Sequence, residues 1–205
     1  MSMATRNFIA GILCLLGLTG CLGSLTKSGN PPKYYALDYP YYQVNCGRNF
    51  EEALRIWPLS AQAPYERDEM VILDPSRQVR FSPQYKWVAL PGTMIADMLL
   101  RDMTRNELFP KVVSPGAPFN ATIQLGGNLF EFAWEEDAAS ARAVLDLEMS
   151  LWSEGPRRSV LFRRHYHFES PPASKGSSEQ LAGAMSDLVD RFSRQLRQDL
   201  CTITW

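Results

Sequence analysis

The sequence predicts an α+β domain: a mainly antiparallel sheet covered by two amphipathic helices, set behind an N-terminal signal and a flexible tether. Two observations carry this. Between residues 123 and 168, three consecutive runs alternate apolar and polar side chains and are separated by turn signals, the mark of an antiparallel meander. Residues 91–107 and 178–200 instead repeat their apolar residues every three to four positions, the period of a helix with one buried face.

The chain opens on Arg6, the only charged side chain before Cys21, followed by the apolar run Phe8 to Leu18. A run of about 11 residues is too short to span a bilayer, which takes roughly 20, but a basic start and an apolar core suit an export signal. It ends in Leu18-Thr19-Gly20-Cys21, which resembles the lipobox of bacterial lipoproteins. There the Cys thiol forms a thioether to diacylglycerol and becomes residue one after cleavage. The expected organisation is a signal peptide over 1–20, lipidated Cys21 with a tether over 21–33, and a folded domain over 34–205. The alternative is an ordinary secretory signal with a chance Cys. Each buried acyl methylene contributes about 0.8 kcal/mol, so a multiply acylated Cys holds a domain to a membrane face without a spanning helix. Leu22, where an Asp would mark inner-membrane retention, favours the outer membrane facing the periplasm.

From Cys21 onward there are 20 basic and 22 acidic residues, with no basic block, so the composition points away from a nucleic-acid partner. Cys14 leaves with the signal and Cys21 takes the lipid, which leaves Cys46 and Cys201. In an oxidising compartment two remaining thiols suggest one disulfide; two separate thiols are the alternative.

Taken in order, residues 22–33 are rich in Gly, Ser, Asn and Pro and read as the tether. Tyr34–Leu37 is a short strand and 40–51 a loop. Leu54–Leu59 reads as a buried strand that ends around Pro58. Met70–Leu73 and Gln78–Ser82 form a hairpin across Asp74-Pro75-Ser76-Arg77, with Pro at the second turn position. Pro91 suits the first turn of a helix over 91–107; Ile95, Leu99 and Met103 mark its buried side, Asp97 and Arg101 pair across a turn, and Pro110 stops it. Met94, Met98 and Met103 read as helix core rather than a binding surface.

In the first meander strand, Ile123 and Leu125 differ in phase from Phe130, Phe132 and Trp134, and a bulge at Gly126-Gly127 would bring all five to one face. In the second, Ala143, Leu145, Leu147, Met149 and Leu151 face in. Gly155-Pro156 turns the chain, and Val160, Phe162, Tyr166 and Phe168 share a face of the third. Ser177 and Gln180 suggest a capping box for a helix with the stripe Leu181, Met185, Leu188, Phe192 and Leu196; Asp187–Arg191 and Asp190–Arg194 are spaced as ion pairs on its polar side.

Candidate chemistry is sparse. His165 and His167 would point the same way from a strand beside Arg163, with no third soft ligand near in sequence, so they read as exposed strand residues and not a metal site. Glu131, Glu135, Glu136 and Asp137 lack the spacing of a calcium loop and read as a solvated hairpin tip. Neither a nucleophile elbow nor a phosphate loop is found. The reading is therefore no catalytic residue, no metal and no cofactor besides the lipid on Cys21. Trp152 is a candidate partner-binding residue, because it falls outward on a strand whose inward face is filled; packing under a neighbouring loop is the alternative.

One resemblance runs through the chain. Tyr34-Tyr35-Ala36-Leu37-Asp38-Tyr39, Ala63-Pro64-Tyr65-Glu66-Arg67 before Met70-Val71-Ile72, and Tyr85-Lys86-Trp87 with Pro91-Gly92 opening Met94–Leu99 come in order, then Phe109 and Ala182-Gly183-Ala184-Met185-Ser186. Over about residues 34–200 this order is similar to the ABC-type transport auxiliary lipoproteins, the Pqi-type partners of MCE lipid-transport systems. The resemblance implies a non-catalytic envelope accessory that works beside an MCE protein, with a permease and an ATPase as indirect partners, in moving lipid or hydrophobic compounds between membranes. Self-association into a homo-oligomer stays open. A lipid-anchored envelope hydrolase and a structural lipoprotein binding another envelope component are the competing readings; genes for an MCE protein, permease and ATPase beside this one would favour the first. Lipid attachment is checked directly: Cys21→Ser is expected to abolish labelling by a palmitate analogue, and label persisting in that variant would contradict the lipobox.

Overall fold

The computed structural model describes residues 30–155, 158–174 and 178–204. The lipobox with Cys21, Pro156 of the predicted turn and Ser177 of the predicted capping box lie outside them. The chain divides into two compact units, Met1–Pro31 and Pro32–Trp205, and the second holds the sheet and both helices.

The sheet is organised around β7 (Ile123–Glu136) and β8 (Ser140–Ser153), fourteen residues each and antiparallel along their length. Beyond β8 runs β9 (Ser159–Glu169), also antiparallel, so the predicted meander is present. The other edge of β7 carries three short strands end to end. β2 (Leu54–Ile56) lies against Ile123–Leu125, β3 (Ser60–Ala61) against Asn128–Leu129, and β4 (Glu69–Leu73) against Ala133–Glu135. β5 (Val79–Trp87) returns antiparallel on β4, β1 (Lys33–Tyr35) adds to β5, β6 (Val112–Val113) adds to β2, and β10 (Ala173–Ser174) meets the end of β8.

The sheet is thus mixed and not simply antiparallel. β2, β3 and β4 all run parallel to β7, as β1 does to β5 and β6 to β2. For the strands beside β7 the cause is the crossover: after the β4–β5 hairpin the chain passes through helix α1 (Pro91–Asn106) and re-enters beside β4 in the same direction, and such a connection makes parallel pairs. The hairpin itself forms as read, with Asp74 Oδ1 accepting from the backbone N–H of Ser76 and of Gln78, both at 2.9 Å. Arg77 closes it at φ 64°.

Three local readings need correction. The strand read over Leu54–Leu59 stops at Ile56, before Pro58, which has no N–H to give a ladder, and a separate strand begins at Ser60. The bulge in β7 sits between Leu129 and Glu131, not at the glycines, so Ile123, Leu125, Leu129, Phe132 and Trp134 face the core while Phe130 leans out toward His165. The glycines serve close approach instead: a Cβ on Gly127 would lie 2.1 Å from the Glu148 carbonyl oxygen, and one on Gly126 3.1 Å from the Trp152 ring. A second bulge, at Leu161, pairs Val160 with Trp152 and turns it outward, 58% exposed, away from the face of Phe162.

Both helices pack on one face of the sheet. α1 begins at Pro91 and buries Met94, Ile95, Leu99 and Met103. It ends at Asn106, where Glu107 takes the left-handed conformation, so the stop precedes Pro110. Gly92 lets its first turn touch the 59–60 backbone, since a Cβ there would come within 2.2 Å of the Leu59 oxygen. α2 (Ser178–Cys201) buries the predicted stripe against Leu145, Leu147 and Met149 of β8. Each such Leu or Phe contributes about 1.5–3 kcal/mol by leaving water. Of the predicted helical ion pairs only Asp190–Arg194 forms, at 2.8 Å. Arg101 turns to Asp102, and Arg191 donates to the Glu169 carbonyl.

The segment from Asp38 to Cys46 crosses both helices as a strap and ends with Cys46 paired to Cys201, their Cα atoms 5.3 Å apart. Closing a loop of 155 residues would contribute about 4–5 kcal/mol in the chain-entropy model. Peptide mapping of the exported protein without reduction is expected to recover Cys46 and Cys201 linked; two free thiols would contradict the pairing.

Candidate functional site

Two places in the domain gather polar chemistry, one buried and one exposed. The buried one lies between the strap and the two helices. Asp102 on α1 and Arg197 on α2 are both fully buried. Asp102 Oδ2 accepts from Tyr39 Oη at 2.9 Å and from Ser193 Oγ at 2.6 Å, and Oδ1 accepts from Arg101 Nε at 2.9 Å. Arg197 donates to the Tyr42 carbonyl at 2.7 Å, to Asn106 Oδ1 at 2.9 Å and to the Ser193 carbonyl at 3.2 Å. Asn106 in turn holds both backbone groups of Val44. Burial, with the Asp102 charge beside it, pushes the Tyr39 hydroxyl far above its ordinary value, so it stays a donor. Apart from Arg101–Asp102 and Arg197–Ser193, each within one helix, the ties join strap to helix or helix to helix, and the cluster works as a lock on the strap rather than a reactive centre.

The sequence reading missed this cluster. Its trace was nevertheless present: Asp102 falls between Leu99 and Met103 on the buried side of α1, and Ser193 and Arg197 fall in phase with Val189 on α2. A polar residue in phase with an apolar stripe signals a buried polar network.

The exposed place is the sheet face opposite the helices. Cross-strand register sets Arg55, Gln124, Trp152 and Val160 in one row and Gly126, Ser150 and Arg163 in the next. Trp152 is half-buried; its ring lies across Gly126, and the Arg158 guanidinium sits 4.9 Å from the ring centroid. Trp57, 38% exposed, flanks Gly126 from the other side and donates Nε1–H to Gln124 Oε1 at 2.7 Å. Beside Trp152 a shallow notch of about 360 Å³ is lined by Gly126, Asn128, Ser150, Val160, Arg158 and Arg163.

Further along this face the two histidines share one carboxylate. His165 Nε2 lies 2.6 Å from Asp146 Oδ1, and His167 Nδ1 2.8 Å from Oδ2. The Asp146 hydrogen bond holds the His167 imidazole above its ordinary value and favours the charged ring. Among the described residues no group of three or more His, Cys, Asp or Glu could hold a metal. The carboxylates of the β7–β8 tip are ion-paired rather than simply solvated: Glu135 with Arg77 and Arg142, Glu136 with Arg80, and Glu131 with Arg77 at 3.5 Å. Burial raises the Glu131 carboxyl despite Arg77. Exposed pairs of this kind contribute about 0–1 kcal/mol each. Among the described residues no helix is long and apolar enough to cross a membrane.

The class is therefore a mixed-sheet α+β domain with both helices on one face and an aromatic and arginine-bearing patch on the other. A sequence model of the ABC-type transport auxiliary lipoprotein component matches residues 39–197, and the chain belongs to that family. No curated protein matches the chain. Among solved structures it is similar to a Xanthomonas campestris protein of the DUF330 family, at TM-score 0.71 and 14% identity over 80% of this chain and 91% of that one. An uncharacterised protein is similar at TM-score 0.62 and 13% identity, over 83% of this chain and 99% of that one. At such identities the likeness concerns the fold. Membership places the chain among transport-auxiliary lipoproteins associated with the cell envelope, and an auxiliary role is in keeping with a non-enzyme.

The buried lock yields a measurable consequence. Arg197→Met takes the donor from the Tyr42 carbonyl and from Asn106 Oδ1 and is expected to destabilise by about 1–3 kcal/mol for each acceptor left unsatisfied. Asn106→Leu removes one of those acceptors, so in denaturant melts the double variant should lose less than the two single losses summed; strictly additive losses would contradict the lock.

Proposed function

We propose that this protein is a periplasm-facing lipoprotein, held by lipid on Cys21 to the outer membrane, and that it is a binding accessory of an MCE-type intermembrane transport system for lipid or hydrophobic compounds. The observation that carries the reading is the family match over residues 39–197, to an auxiliary lipoprotein component of ABC-type transport. Its direct partner would be the MCE protein; permease and ATPase would act through it and supply the energy. The signal over 1–20 and the tether over 21–33 would leave the domain free to meet that partner at a distance from the membrane.

The domain's part is to bind, with no cofactor besides its lipid. Trp152 and Trp57 suit partner contact because aromatic and Arg anchors carry most of the binding energy at protein interfaces, and here Arg158 and Arg163 stand beside them. His165 and His167 are already engaged with Asp146, which supports a structural role for that pair.

Complementation of a deletion strain, scored as resistance to detergents and lipophilic compounds, tests this. His165→Ala with His167→Ala, and Glu135→Ala with Glu136→Ala, should restore the barrier as wild type does, whereas Cys21→Ser should fail. Loss of complementation by either double variant while folded and lipidated would sink the binding-only reading.

A further inference from the structure

β9 is the last strand of the sheet on its side: among the described residues it pairs with β8 alone, so the backbone of its other edge is open over Ser159–Glu169. An open edge is a template for another strand, and proteins ordinarily shorten or cover it. Here it is eleven residues long and incompletely covered. α2 packs chiefly over β8, leaving Leu161, Phe162 and Phe168 half-buried along the rim.

The charges along this edge are layered. The arginines stand outermost: the side chains of Arg163 and Arg164 are 60% and 52% exposed. Their carboxylate partners sit inboard, Glu148 at 30% and Asp199 at 8%, and the acidic residue of β9 itself, Glu169 at 39%, is held at the far end of the strand by Arg142 and His167. Arg158, just ahead of β9, has no carboxylate partner among the described residues and rests on the Trp152 ring. An approaching strand therefore meets positive charge first. That pattern disfavours a second copy of this chain in the antiparallel register centred on Arg164, which would set Arg164 against itself, because like charges directly opposite are destabilising.

From the open edge, the half-covered rim and the outward cations, we infer that β9 docks an extended acidic segment of a partner protein by strand addition. Main-chain hydrogen bonds to the edge hold such a segment. Its alternate side chains divide between the two faces: apolar ones cover Phe162 and Phe168 on the helix side, and carboxylates meet Arg163 on the other, with Arg158 and Trp152 at the near end. The inference goes beyond the transport reading and uses from it only that the partner is a protein. Its failure would leave the Cys21 complementation result untouched.

The test uses the full lipidated chain in non-ionic detergent, with a synthetic peptide of alternating Val and Glu as probe and hydrogen exchange of the 159–169 amides as readout. The peptide is expected to slow exchange there in a saturable way. The same peptide with alternate residues replaced by Pro, and a Val-Lys peptide, should not. Arg158→Glu with Arg163→Glu should weaken the Val-Glu peptide by about tenfold or more and strengthen Val-Lys, a swap that electrostatic complementarity requires. If that reversal loosens the fold, Arg158→Gln with Arg163→Gln carries the comparison with a smaller loss. No added protection at millimolar peptide would overturn the inference. Equal protection by Val-Lys, protection that grows with protein concentration alone, or protection by anionic lipid vesicles without peptide would do the same, the last two assigning the edge to a second copy or to a membrane.

Discussion

The burial of Asp102 and Arg197 between the two helices is the constraint on which the arrangement of this domain depends. Two fully buried side chains of opposite charge are costly to remove from water, and the cost is met only where hydrogen bonds satisfy what the ion pair leaves open. Here the partners come from three separate stretches of chain: Tyr39, Tyr42 and Val44 from the strap, Asn106 from α1, and Ser193 from α2. These hydrogen bonds form only when strap and helices are docked together. The Cys46–Cys201 pairing lies at the end of the same strap and joins it to the end of α2, so two different kinds of tie act on one segment.

That segment is also the route from the N-terminus into the fold. It begins on the sheet edge as β1, crosses the helices, and delivers the chain to β2 at the centre of the sheet. A domain attached to a membrane through its N-terminus would bear any pull at this point. A buried network with a cross-link is well placed to keep such a pull from reaching the sheet, because opening the strap means exposing both charges at once.

The two faces of the sheet divide the work. The helix-covered face holds the large apolar side chains and the stability they supply. The opposite face holds Trp57, Trp152, the arginines and the histidine–Asp146 group, in rows fixed by strand register. Gly126 and Gly127 illustrate the coupling: they let Trp152 lie flat and β8 come close, and in doing so shape the notch beside the arginines.

How much of this was legible in the sequence follows the range of the interactions involved. Periodicity is local, so the helices at 91–107 and 178–200, the β4–β5 hairpin and the β7–β8–β9 meander could be read directly, as could the outward placement of Trp152. Bulges are set by the partner strand, which is why that in β7 fell at Phe130 and that in β9 displaced Val160. Parallel pairing of β2 and β4 with β7 joins segments some sixty residues apart, with α1 between, and no local pattern announces it. The Asp102–Arg197 cluster is of the same kind. Each residue alone looks like a polar interruption of an apolar stripe, and only the packing of two helices and a strap shows that the interruptions answer one another. The sequence by itself determined which faces of the helices and strands were apolar. The tertiary structure decided which strands met, which charges were buried together, and which edge of the sheet was left open, because each of those depends on contacts between residues distant in the chain.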